Sequence, residues 1–308
     1  MKRSGRVVAV VGPTAAGKSD LSVALARRSG AEVVNADSMQ LYRGMDIGTA
    51  KLGPPQRCGV PHHLLDVLDV TEPATVAEFQ SWARSVIGDC HARDILPLLV
   101  GGSALYLRAV LDDFAFPGTD QRIRERLETE LERIGPKAMH DRLAEHDLDA
   151  ATHILPSNGR RVVRALEVIE MTGRPYTATL PSHTFVYDDV TVIGLAVARD
   201  VLADRIEDRV ERMWEAGFVE EVRGLARRGL AGSRTASRAL GYAQVLAYLA
   251  GDCTEEEAKE ATIRGTRRFA RRQDAWFRKD PRIVWLEYDA PDLLDRAWAL
   301  VHESEPTG

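Results

Sequence analysis

A chain of 308 residues, 44% hydrophobic and 28% charged, is long enough for one large or two ordinary domains of a globular protein. Its three cysteines, Cys58, Cys90 and Cys253, are far apart and odd in number, which argues against a disulfide framework and suits a reducing cytoplasm. The net charge of −5 gives no general attraction to nucleic acid, no stretch approaches membrane-spanning length, and the first apolar run, Val7 to Val11, is too short for a signal-peptide core.

Residues 6–11 form a short β-branched run that reads as a buried strand. Gly12, Pro13, Thr14, Ala15, Ala16, Gly17, Lys18 and Ser19 follow it and fit the phosphate-loop pattern of a Gly, four free residues and Gly-Lys-Ser. Residues 18–28 then read as a helix with Leu21, Ala24 and Leu25 on one face. Strand, Gly-rich turn and helix aim backbone N–H groups and a helix N-terminus at phosphate oxygens. Lys18 would neutralise those oxygens, and Ser19 would offer its hydroxyl to a Mg²⁺ that bridges them. The motif does not specify which phosphates.

A second strand over residues 32–36 runs into Asp37, Ser38, Met39 and Gln40. In such a fold the end of this strand lies beside the loop, so Asp37 serves either as a Mg²⁺ partner or general base, or only as the cap of the next turn. His62 and His63, being adjacent, point apart and read as packing plus a hydrogen bond rather than a metal pair. A helix over 75–92 precedes a strand over 95–100, which opens through Gly101 and Gly102 onto Ser103, a helix cap that could also bond a phosphate. This strand does not end in a carboxylate, which disfavours ordinary nucleotide hydrolysis unless Asp66 substitutes.

After Phe116-Pro117-Gly118 the pattern turns helical, over 121–133, 137–145 and 160–171, and presents Arg124, Arg160, Arg161 and Arg164. These cations suit either RNA phosphates or a solvated helix face that includes Glu167 and Glu170. Strand character returns over 185–199, clearest at 190–195, followed by helices over 201–228, 237–250 and 254–278 and a short strand over 282–286. Arg205 and Arg209, four apart, either clamp a diphosphate or pair with Asp204, Asp208 or Glu211. Residues 264–282 carry eight cations, Arg271 and Arg272 among them, against Asp274 and Asp280. The expected architecture is α/β: a phosphate-loop core with a parallel sheet (1–112 and 187–308), interrupted by an all-helical insertion (113–186). The tail beyond about Val301 is expected to fray.

Taken together, several segments resemble the bacterial tRNA dimethylallyltransferases, also called tRNA isopentenyltransferases. They are the phosphate loop, the run from Asp37-Ser38-Met39-Gln40-Leu41-Tyr42 to Gly48-Thr49-Ala50-Lys51, Pro61-His62-His63-Leu64, Gly101-Gly102-Ser103-Ala104-Leu105-Tyr106, Arg164-Ala165-Leu166-Glu167, Gly241-Tyr242 and Arg271-Arg272-Gln273. They occur in family order over nearly the whole chain. Ser103 stands where Thr is common, Gly159 where Gln is common, and Asp274-Ala275 is unusual. The resemblance implies a kinase-like core, a tRNA-gripping helical insertion, and transfer of a dimethylallyl group from its diphosphate to N6 of the adenine just 3′ of a tRNA anticodon. It implies Asp37 and Ser103 as catalytic groups. Residues 12–19 with Arg205 and Arg209 would hold the diphosphate, with Mg²⁺ on Ser19. Asp37, Ser38, Met39, Gln40, Ser103, Arg124, Arg160, Arg161, Arg164, Arg271 and Arg272 would contact the tRNA anticodon stem-loop. A cytoplasmic monomer with no membrane partner is expected. The alternatives are a phosphate-loop kinase whose insertion is a lid, a prenyltransferase of free adenine nucleotides, and a non-catalytic RNA-binding module.

Overall fold

The computed structural model describes residues 3–114, 116–176 and 184–302. Among the described residues six parallel strands make one sheet: β1 (Arg3–Val11), β2 (Glu32–Asn35), β3 (His62–His63), β4 (Pro97–Gly101), β5 (Tyr187–Ala196) and β6 (Ile283–Glu287), in the order β3-β2-β4-β1-β5-β6. β1 lies inside the sheet, and Val7 to Val11 are all but inaccessible. A parallel sheet with both faces covered needs such an unbroken apolar run. One face packs on α1 (Lys18–Ser29) and α11 (Leu293–His302). The other packs on α2 (Val76–Ala92), α3 (Ala104–Leu111), α8 (Phe218–Arg227), α9 (Tyr242–Ala250) and the end of α10 (Glu255–Phe277). Local signals start these helices: Thr75 caps α2 through Glu78 N, and Thr254 with Glu257 closes a capping box on α10.

The chain divides into two compact units: residues up to Leu111 with those from Phe185 onward, and Asp112–Thr184. Among the described residues the second unit holds helices only: α4 (Gln121–His146), α5 (Leu148–His153) and α6 (Gly159–Thr172), around Leu127, Met139, Leu143, Val162 and Leu166. Gly135, at φ 82°, and Pro136 break α4 where the sequence separates two helices.

The structure departs from the sequence reading at several places. β3, two residues long, and α5 and α11 were not anticipated. The helix expected over 201–228 is two, α7 (Arg199–Glu215) and α8, divided at Ala216 and Gly217. The helix expected from 237 begins at Tyr242. The expected fraying lies, from residue 303 on, outside the described residues.

Candidate active site

The phosphate loop turns from β1 into α1 at the C-terminal end of the sheet. Gly17, at φ 94°, occupies the left-handed region that precedes the first helical residue, Lys18, and a β-carbon there would be strained. Lys18 Nζ donates to Pro13 O at 2.7 Å, folding the side chain back over its own loop. Burial pushes the Lys18 ammonium down to about 8; Asp37 opposes that shift and Arg209 adds to it.

The loop forms one wall of an open cleft of about 740 Å³. Thr14, Lys18, Ser19, Asp37, Gln40, Thr49, Gly101, Gly102, Arg209 and Gln273 supply its polar lining, while Val33, Leu52, Leu65, Val100 and Phe269 supply apolar surface. Asp37 caps the turn that follows β2 and also lines the cleft. Its Oδ1 accepts from Met39 N at 2.9 Å, and the residue lines the cleft that Lys18 also lines. Asn35 fixes it by donating to the Asp37 carbonyl and accepting from its N–H, at 3.0 and 2.9 Å.

Arg205 and Arg209 leave the acidic neighbours on their own helix and turn to the loop. Arg209 donates to Thr14 Oγ1 at 3.0 Å and Thr49 O at 3.2 Å, and burial lowers its proton affinity. Arg205 Nε donates to Ala15 O at 2.8 Å, with its guanidinium over the Tyr288 ring, and does not line the cleft. It holds the loop from outside. Gln273, of the Arg271-Arg272-Gln273 segment, is buried and bridges two walls: it accepts from Thr14 N at 2.9 Å and donates to Gly102 O at 2.8 Å. The sequence signal for it is an uncharged polar residue directly after Arg271 and Arg272, at the end of a basic run.

Other anticipated residues are spread more widely. Gln40 lines the cleft and donates to Thr49 O at 3.1 Å, whereas Ser38, Met39 and Ser103 are not among its lining; Ser103 directly follows Gly102, which is. Asp66 does not reach the cleft and accepts from Lys51 at 2.6 Å. In the insertion, Arg124 and Arg164 both bind the fully buried Glu167, at 2.6 and 2.9 Å, and Arg164 also binds the carbonyls of Pro117 and Gly118. These guanidinium groups have a structural job. Arg160 and Arg161 are exposed on α6, and Arg271 and Arg272 on α10.

The fold also gathers Glu32, His63 and Cys90, whose ligating atoms lie within 4.8 Å of one another. Both Glu32 oxygens are taken by Arg93, at 2.8 and 2.7 Å, and one by His63 Nε2 at 2.7 Å. Burial pushes the Cys90 thiol up to about 11, so it is no thiolate. The group is a closed clasp between β2, β3 and α2, and its soft thiol does not suit Mg²⁺. Among the described residues no helix is long and apolar enough to cross a membrane.

A parallel sheet with a Gly-rich turn feeding α1 puts the chain in the class of phosphate-loop α/β proteins. The model of the family described as "IPP transferase" matches residues 40–280, and that of "Isopentenyl transferase" matches residues 5–57. The tRNA dimethylallyltransferase of Thermobifida fusca is 65% identical over 302 residues, 96% of this chain and 94% of that protein. The crystal structure of the full-length tRNA isopentenylpyrophosphate transferase of Bacillus halodurans is 41% identical with a TM-score of 0.71, covering 96% of this chain and 95% of that one. A eukaryotic dimethylallyltransferase, described as acting on tRNA in crystallographic snapshots, is 27% identical with a TM-score of 0.83, over 96% of this chain and 78% of that one. The chain belongs to the IPP transferase family, among whose members are the tRNA dimethylallyltransferases.

Proposed function

We propose that this protein transfers the dimethylallyl group of dimethylallyl diphosphate to N6 of the adenine 3′-adjacent to the anticodon of tRNA, releasing diphosphate. The observation that carries the reading is that Asp37 lines the same cleft as Lys18 and Arg209 and acts electrostatically on Lys18. A carboxylate suited to take a proton shares the cleft with cations suited to a diphosphate.

An exocyclic adenine amine is nearly non-basic, so its proton must leave as the new bond forms. N6 attacks the allylic carbon, the C–O bond to the diphosphate breaks, and Asp37 takes the N6 proton. Loop N–H groups, Lys18 and Arg209 stabilise the charge that grows on the departing oxygen. Arg205 and Gln273 keep the loop in shape. The apolar lining from Val33, Leu52, Leu65 and Val100 suits a five-carbon tail. Ser103, beside Gly102, serves the adenine side of the cleft. The target base must leave its stack to enter, which an anticodon loop permits more readily than a duplex.

The Ser19 hydroxyl lines the cleft and has no protein hydrogen-bond partner among the described residues, so its oxygen fits a hard cation such as Mg²⁺. When bound there with the diphosphate, Mg²⁺ supplies charge neutralisation of the leaving group. The helical insertion, through Arg160 and Arg161, and α10, through Arg271 and Arg272, grip the anticodon stem-loop, and the protein acts as a cytoplasmic monomer.

Asp37→Ala tests the assignment. The rate of transfer should fall by ~10²–10⁴-fold, the scale of a lost general base. Binding of inorganic pyrophosphate should change little, since the carboxylate serves the amine. Near-normal turnover in the variant would remove Asp37 from the chemistry.

A further inference from the structure

We infer that Glu221, on α8 and outside the cleft, is a positioning residue that sets the cationic wall on which the diphosphate rests. The inference depends on the diphosphate reading of that cleft. Glu221 faces the loop that follows Asp37 in the family's longest motif. Its Oε2 accepts from the backbone N–H groups of Asp46, at 3.1 Å, and Ile47, at 2.7 Å. Its Oε1 accepts from Gly48 N at 3.3 Å and from the Tyr242 hydroxyl at 2.6 Å. One carboxylate thus fixes three consecutive peptide groups.

The residue after those three is Thr49. Its carbonyl accepts from Arg209 at 3.2 Å and from Gln40 at 3.1 Å, and Arg209 in turn holds Thr14 of the phosphate loop. The connection runs from Glu221 through 46–48 to the Thr49 carbonyl, and from there through Arg209 to the loop. Gly48 makes the close approach possible, because a β-carbon there would lie 2.3 Å from the Phe218 ring and 2.5 Å from the Tyr242 ring. Lys51 separately ties down the flanks of the same loop, donating to Tyr42 O, Asp46 and Asp66. Loss of Glu221 therefore removes the outside support of Ile47 and Gly48, leaving Lys51 and the loop's own bonds, such as Thr49 Oγ1 to Met45 O at 2.6 Å, to hold the Thr49 carbonyl in place.

The chemistry requires a carboxylate. An ionised Glu is acceptor-only, so both oxygens can meet donors, whereas a Gln must turn an NH₂ toward backbone N–H groups. Tyr242 carries a second sign of this environment: burial and the adjacent Glu221 raise its phenol well above the ordinary value.

The test is titration of the full-length protein with inorganic pyrophosphate and Mg²⁺, together with steady-state kinetics. Glu221→Gln is expected to raise the pyrophosphate Kd, and the KM for dimethylallyl diphosphate, by about 5- to 30-fold, as one or two lost hydrogen bonds imply. The KM for tRNA should hold. Paired with Arg209→Lys, the effects on Kd should be non-additive, because both substitutions disturb one wall. Tyr242→Phe keeps the ring and removes one of the four donors; it should give a smaller rise of about 2- to 3-fold, again non-additive with Arg209→Lys. Should Glu221→Gln not fold, Tyr242→Phe carries the same test. A lowered Tm with unchanged pyrophosphate Kd, or strict additivity with Arg209→Lys, would leave Glu221 a purely structural residue. Lys18→Ala separates the two readings. If it binds pyrophosphate as well as wild type, the diphosphate assignment of the cleft fails and this inference with it.

Discussion

Lys18 shows how burial tunes a residue whose type alone was legible. Its place in the Gly-Lys-Ser motif marks a phosphate ligand, and the docking of Nζ on Pro13 O is local to the loop, but the fall to about 8 comes from tertiary enclosure. The sign follows directly. Below pH 8 the empty protein presents an ammonium; above it, one proton must be taken up to restore the charge. Pyrophosphate affinity should therefore hold up to about pH 8 and then weaken, by about tenfold per unit at the limit of one linked proton. Titration calorimetry from pH 7 to 9.5 checks this, and Lys18→Arg should flatten the profile because a guanidinium stays charged. Arg205 and Arg209 were open between a clamp and pairing along their own helix. The choice depended on whether the loop came within reach, and spacing cannot show that. Gln273 is the same problem in reverse, since its partners, Thr14 and Gly102, lie far away in sequence.

At the scale of elements, the central strands and their helices could be read from the chain because apolar runs and capping residues are local signals. The edge was harder. β3 has two residues, too few for any periodicity, and is defined by its pairing with β2 and by the Glu32 clasp. That clasp has a measurable signature. Hydrogen bonds from Arg93, helped by His63, hold the Glu32 carboxyl down to about 2, against an ordinary 4.5, despite its burial. A depressed carboxylate stabilises the fold fully above the unfolded value and loses that contribution as pH falls through the folded one. Glu32→Gln should thus cost about 1–3 kcal/mol at pH 7, the scale of removing a charged partner from a part-buried pair. The difference from wild type should shrink between pH 4.5 and about 2, as read by urea unfolding at each pH. An equal deficit at pH 7 and pH 2.5 would remove the clasp as its source.

At the scale of the whole molecule, the proposed grip on RNA phosphates through the exposed Arg160, Arg161, Arg271 and Arg272 would reconcile a net charge of −5 with an RNA partner. The sequence marked the cations but could not rank them. Glu167, about forty residues from Arg124 in the chain, decides which are bound internally. Arg160→Ala, Arg271→Ala and Arg272→Ala should each lower the salt slope of tRNA binding by about one, with little change in stability. Arg124→Ala should instead destabilise the insertion by about 1–3 kcal/mol, since it strips one of two cations from a buried carboxylate. Filter binding against salt, run beside thermal melts, separates the two groups. In the proposed reaction the phosphate loop holds a departing diphosphate rather than a nucleotide about to lose a phosphoryl group. The most direct measurement supplies the protein with Mg²⁺, total tRNA, labelled dimethylallyl diphosphate and ATP, and follows all products. The expected products are one label per accepting tRNA, on N6 of the adenine 3′ of the anticodon, equimolar pyrophosphate and intact ATP. ATP turnover without prenyl transfer, or label on free adenine nucleotides but not on tRNA, would contradict it.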